Sequence, residues 1–256
     1  ASGGTAEVVR YETGNPLVVG ELRSSREDAP TVLIYGHYDL QSPNPVEEWT
    51  TPPFEPTVRD GRLYARGACD DKGQAMTFIE ACRAFKAVTG KLPLPITTMI
   101  EGEEECGSRN LFKFVRDNAA EFKLDLALVC DTAMWDATTP AITTSLRGLV
   151  YEDVKITCAD RDLHSGVFGG AAQNPLRLLS AILGSMWDGN GRVTIPGFYD
   201  RVKELPADIK ADLKGLDLTP EKFLGPIGLK KPSGEKDRML IEMVTTRPTA
   251  EINGIV

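Results

Sequence analysis

The sequence is short of histidine, of paired cysteines, of positive charge and of long apolar runs, and each shortage excludes something. Only His37 and His164 can supply imidazole chemistry in the 256 residues. No apolar run approaches the roughly 18 residues of a membrane span, and residues 1–10 lack the basic, apolar and small-residue order of a secretion signal. No membrane partner is expected. The five cysteines, Cys69, Cys82, Cys106, Cys130 and Cys158, are odd in number, scattered and without a CxxC pair. That pattern points to reduced thiols in a cytoplasmic setting and away from a disulfide framework. Lysine and arginine total 29 against 37 acids, a net charge of -8, which argues against a nucleic-acid surface. Acidic side chains can instead gather around cations.

What is present is ordinary for a globular protein: 41% hydrophobic and 26% charged residues, enough chain for one large domain or two smaller ones. Residues 31–35 (TVLIY), 96–100 (ITTMI) and 126–130 (LALVC) are continuously apolar or β-rich, as in buried strands. Helices are predicted between them. Residues 73–88 carry Met76, Ile79 and Cys82 on one stripe, and residues 110–122 carry Leu111, Val115 and Ala119, with Ser108 as N-cap. Asp60-Gly61 marks a tight hairpin. The alternation predicts an α/β domain over 1–142, a mixed, mostly parallel sheet with helices on both faces.

After Thr139-Pro140 the texture changes. Residues 149–158 alternate like a strand, with Val154, Ile156 and Cys158 on one face, and 239–252 is a second strand-like stretch. Asn174-Pro175 opens a helix whose stripe is Leu176, Leu179, Leu183 and Met186. These features predict a smaller α+β unit over 143–256.

Four clusters of chemical interest fall just past predicted strands, where the ligand crevice of an open α/β sheet lies. They are Gly36-His37-Tyr38-Asp39, residues 66–73 (RGACDDKG), residues 101–108 (EGEEECGS) and Asp131. Each alone has an ordinary reading: a hydrogen-bonded histidine, a helix cap, a solvated charge run, a lone strand-end acid. If they converge, Asp39, Asp70, Glu104, Glu105 and Asp131 bring up to five negative charges into one crevice, which requires protons or cations. Two divalent cations suffice. Nitrogen and carboxylate ligands suit zinc, with manganese or cobalt as alternatives. Spare carboxylates imply a general base, and hence metal-assisted hydrolysis.

The motifs GHYD, RGACDDKG, EGEEECGS, CDT and DLHSG, in this order, resemble the dizinc aminoacylase and carnosinase family of metallopeptidases, most of all its cytosolic nonspecific dipeptidase branch. GRVTIPGFYD and RPTAEING extend the similarity through nearly the whole chain. The resemblance implies that His37 binds one metal with Asp39 orienting it, that Asp70 bridges both metals, that Glu105 binds the second and Asp131 the first. Glu104 is implied as the general base that activates water and protonates the leaving amine. Glu103 and Asp71 are expected to be solvated or capping, and Cys69 and Cys106 to be small, semi-buried structural thiols. His164 is implied to reach the active site of a partner subunit and polarise the scissile carbonyl. The second unit is then a lid and dimerisation domain, and the substrate a short peptide with a free carboxylate. The family also places a further histidine after the lid. With both histidines of this chain already assigned, the sequence is expected to be part of a longer enzyme. The alternatives are an N-acyl amino acid amidohydrolase of the same fold and a catalytically silent binding or dimerisation fragment. An acidic calcium-binding module is disfavoured because no EF-hand loop occurs.

Overall fold

The computed structural model describes residues 4–26 and 28–256, which form two compact units, one ending at Ile142 and one starting at Thr143. The first contains, in chain order, β1 (Thr5–Val9), β2 (Leu17–Leu22), β3 (Val32–His37), β4 (Thr57–Arg59), β5 (Arg62–Tyr64), α1 (Lys72–Thr89), β6 (Ile96–Glu101), α2 (Arg109–Asn118) and β7 (Leu126–Val129). Five of the strands form one sheet in the order β1-β2-β6-β3-β7. β3 pairs in parallel with both β6 and β7, whereas β2 runs antiparallel to its neighbours β1 and β6. Four strands therefore share one direction and β2 alone opposes them.

Alternation along β3 divides the core between the two faces of the sheet. Ile34 packs with Cys82 of α1 and Leu92, while Leu33 leans on the cluster of Leu17, Met99 and Phe114, the last from α2. The predicted helices thus cover opposite faces. α1 ends where Gly90, at φ 75°, donates its N–H to the Lys86 carbonyl, a left-handed cap that suits glycine. At the hairpin, Asp60 and Gly61 both have positive φ, 49° and 73°, as a two-residue turn between β4 and β5 requires.

Register places the site. His37 lies level with Glu101, and Tyr35 with Val129. Asp131 lies two residues past the end of β7, as His37 lies two past Tyr35, and the two side chains meet, His37 Nε2 at 3.4 Å from Asp131 Oδ2.

The second unit contains α3 (Ser165–Phe168), α4 (Pro175–Ser185), α5 (Ala207–Gly215), α6 (Pro220–Phe223) and α7 (Leu240–Thr245). Asn174 caps α4 as predicted, its side-chain oxygen accepting from the N–H groups of Leu176 at 2.8 Å and Arg177 at 3.2 Å. Two expectations fail here. Residues 149–158 form no strand: no described residue pairs with them, and a strand without a partner leaves its backbone groups to water. Leu149, Val150, Tyr151 and Val154 are correspondingly exposed. Over 239–252 the expected strand gives way to α7, nucleated where Glu242 reaches back to accept the Met239 N–H at 2.9 Å. Among the described residues of this unit the sole β feature is an isolated bridge between Trp187 and Val193, so the α+β character predicted for it is not formed.

A buried ionic group anchors the second unit. Glu235 and Arg247 are 5% and 6% exposed and meet through two hydrogen bonds of 2.8 and 2.7 Å. Arg192 donates to the same carboxylate at 2.9 Å, and both guanidinium groups lie over the Tyr199 ring.

Candidate metal centre

His37 closes β3 and is wholly buried. Its Nδ1 lies 3.2 Å from Asp39 Oδ1, which turns the opposite nitrogen, Nε2, toward two further carboxylates. Nε2 is 3.1 Å from Asp70 Oδ1 and 3.4 Å from Asp131 Oδ2. Ligand atoms of His37, Asp70 and Asp131 all lie within 4.8 Å of one another, close enough for one cation to touch all three. A buried imidazole facing three carboxylates suits a proton or a metal ion. Burial pulls the His37 pKa down, but Asp131, Asp39, Glu104 and Asp71 more than offset it and hold the ring above its ordinary value.

Asp39 has a second task. Its Oδ2 accepts the Glu105 N–H at 3.0 Å and its Oδ1 the Glu104 N–H at 3.3 Å. One carboxylate thereby joins the histidine to the short 3-10 turn Glu104–Cys106. Burial pushes the Glu104 carboxyl above the ordinary carboxylate range, and Glu105, Asp131 and Asp39 add to the shift against the opposing pull of His37. Burial also raises Asp131, with Asp70 adding to it. Glu105 stands outside the three-residue cluster, its Oε2 accepting from Gln41 Nε2 at 2.7 Å. It shares with Asp70 a cavity of about 510 Å³ whose other walls include Trp49, Tyr64 and Arg66.

The structure therefore gathers His37, Asp39, Asp70 and Asp131, with Glu104 and Glu105 on a turn tied to Asp39. His164 belongs to the second unit, where it caps α3 and is exposed. Its Nδ1 accepts the Gly166 N–H at 2.9 Å, so in the neutral ring the proton sits on Nε2.

Three further acids, Asp71, Glu103 and Glu101, are buried beside the cluster. Asp71, expected to be solvated or capping, is 1% exposed, makes no side-chain cap, and accepts the His37 N–H at 3.1 Å. Burial raises its pKa. Glu103, 9% exposed, does cap: its Oε2 accepts the Asn110 N–H at 2.9 Å in the first turn of α2. Glu101, 1% exposed, takes up Ser108, whose hydroxyl donates to Glu101 Oε1 at 2.9 Å instead of capping α2. The signal available in the sequence was position: Glu101 follows an apolar run and Asp71 directly precedes a helix. Cys69 and Cys106, expected to be semi-buried, are exposed; the Cys69 carbonyl accepts from the Gln74 amide at 2.6 Å and the Cys106 thiol donates to the Glu103 carbonyl at 3.5 Å.

Fold and cluster together define an α/β protein with a histidine–carboxylate metal geometry at the ends of its parallel strands. The profile of peptidase family M20/M25/M40 matches residues 33–252, and the chain belongs to that family. It is 35% identical over 242 residues to a Beta-Ala-His dipeptidase of Mus musculus, covering 94% of this chain and 49% of that protein. To the Cys-Gly metallodipeptidase dug1 of Schizosaccharomyces pombe it is 33% identical, covering 94% of this chain and 51% of the relative. The crystal structure of the M20 family metallo-carboxypeptidase Sso-CP2 from Sulfolobus solfataricus superposes with a TM-score of 0.77 at 32% identity, over 98% of this chain and 56% of that one. The chain spans about half the length of the curated relatives it matches.

Proposed function

We propose that the full-length protein hydrolyses dipeptides or short peptides, using two divalent metal ions, zinc foremost. The observation that carries this reading is the buried His37 with Asp70 and Asp131 on one nitrogen and Asp39 on the other, beside the raised Glu104 carboxyl. His37 and Asp131 would hold one ion, Glu105 the other, and Asp70 would lie between them. When bound, such ions polarise the peptide carbonyl and acidify a nearby water. Glu104 is the proton carrier: it takes a proton from the attacking water and delivers it to the leaving amine. A carboxyl raised by burial is suited to that two-way transfer near neutral pH. Asp39 holds the His37 ring by Nδ1 and keeps the base at a fixed distance from it. With its proton on Nε2, His164 is prepared to donate to the carbonyl oxygen of a substrate, in a partner subunit.

Both units have a place in this reading, the first as the catalytic domain and the second as lid and dimerisation domain. The exposed apolar side chains of Leu149, Val150 and Val154 support a homodimer formed there. Five free cysteines support a cytoplasmic setting. None of the helices among the described residues is long and apolar enough to cross a membrane.

The test is dipeptide hydrolysis by the full-length protein and by Glu104→Gln. The variant is expected to lose roughly 10²–10⁴-fold in turnover while keeping its metal. Near-normal turnover would remove Glu104 from the mechanism, and turnover indifferent to chelation would remove the metals.

A further inference from the structure

We propose that two buried carboxylates outside the metal cluster, Glu101 and Glu103, are positioning residues that clamp the Glu104–Glu105 turn from both ends and so aim the Glu104 carboxylate. The proposal rests on the reading of Glu104 as the base. At the far end of the turn, Glu101 Oε1 accepts from the Ser108 hydroxyl at 2.9 Å and from the Tyr35 hydroxyl at 2.6 Å. Tyr35 lies on β3 two residues before His37, so this carboxylate ties the turn to the strand that carries the histidine. Ser108 has φ 52°, a left-handed conformation uncommon for a residue with a Cβ. Its hydroxyl is held by Glu101 and its N–H by the Glu103 carbonyl at 2.7 Å.

At the near end, Glu103 Oε1 accepts from the Asn15 N–H and the Asn110 amide, both at 3.2 Å, and Oε2 from the Asn110 N–H at 2.9 Å. The carboxylate thus binds the turn both to α2 and to the loop between β1 and β2. Asp39 grips the middle through the Glu104 and Glu105 N–H groups. Helix capping accounts for the bond to Asn110, but neither for the tie to Asn15 nor for Glu101. Glu101 Oε2 is buried with no hydrogen-bond partner among the described residues. A charge kept in that condition works against folding, so a glutamine of the same shape would serve stability at least as well. What the carboxylate adds is two charge-assisted hydrogen bonds from hydroxyls that fix the turn.

The test uses the full-length, metal-loaded protein and its Glu101→Gln, Glu103→Gln and Glu104→Gln variants. It reads kcat and KM on a dipeptide, the thermal midpoint, and amide hydrogen exchange over 102–110. For Glu101→Gln and Glu103→Gln the expected result is kcat lowered about 10-fold or more with KM within about twofold. Exchange should quicken in the turn alone, and the thermal midpoint should stay close to that of the parent. Parental exchange in the turn overturns the proposal. So does faster exchange throughout the first unit with activity falling in step with the folded fraction, which is a structural role only. A loosened turn with unchanged kcat, while Glu104→Gln is inactive, also overturns it. If Glu104→Gln keeps its turnover, the base reading alone fails, and exchange in the turn still decides whether the clamp exists.

Discussion

At the scale of single residues the site is a problem of charge. Burial lifts the carboxyls of Glu104, Asp131 and Asp71, so between the ordinary value near 4 and their raised values the folded chain keeps protons that the unfolded chain releases. Stability then falls as pH rises through that window. His37 acts in the same direction: its pKa is raised, so its contribution is full below about 6.5 and is lost as pH climbs through the folded value. Metal-free protein is therefore expected to melt at a higher temperature at pH 5 than at pH 8, with added zinc restoring the loss at pH 8. Thermal denaturation in chelator checks this, and a midpoint that rises with pH would contradict it. His37, Asp39 and Asp131 were legible from the sequence because each lies at or just past the end of an apolar strand of one sheet, whereas Asp70, in the turn before α1, was singled out by the family resemblance. Asp71 was not legible, since in an Asp-Asp pair the sequence does not say which carboxylate turns to the crevice and which to the His37 backbone.

At the scale of elements, close packing around the strand ends keeps these side chains in place. Gly102 follows β6, and a Cβ built there would run into the Tyr38 ring and Asn15 Cβ. Tyr38 is fixed in turn by donating its hydroxyl to the Pro16 carbonyl at 2.8 Å. Gly102→Ala is expected to cost about 1–3 kcal/mol, read as a fall of several degrees in melting temperature, and to lower activity through the adjoining Glu103–Glu105 turn. An unchanged melting temperature would mean that the Tyr38 ring yields freely. β3 and β6 could be read in advance because burial writes an apolar pattern, and β7, α1 and α2 by their apolar runs and stripes, although Leu126 and Val129 of β7 and Met76 and Ile79 of α1 are exposed. β1 left none, with four of its five residues exposed, and β2 is broken by Gly20 and Glu21. Residues 149–158 failed in the opposite way. They carry a strand's alternation, but alternation records which face is apolar and does not supply the neighbouring strand.

At the scale of the molecule, each unit has its own means of holding together: a two-faced apolar core in the first, and in the second the ionic group around Glu235. Arg247→Ala would strand the Glu235 carboxylate, 5% exposed, with Arg192 as its remaining partner, at a cost of roughly 3–5 kcal/mol. Limited proteolysis should then cut within the second unit while zinc binding by the first persists, and loss of zinc binding would show the units to be interdependent. The account stands or falls on the metal centre. The most direct measurement is the number of divalent ions bound per chain of the full-length protein, taken beside Asp70→Asn. Two ions in the parent and at most one in the variant are the expected result. No bound ion in an active parent, or two in both proteins, would contradict a centre in which Asp70 joins the metals.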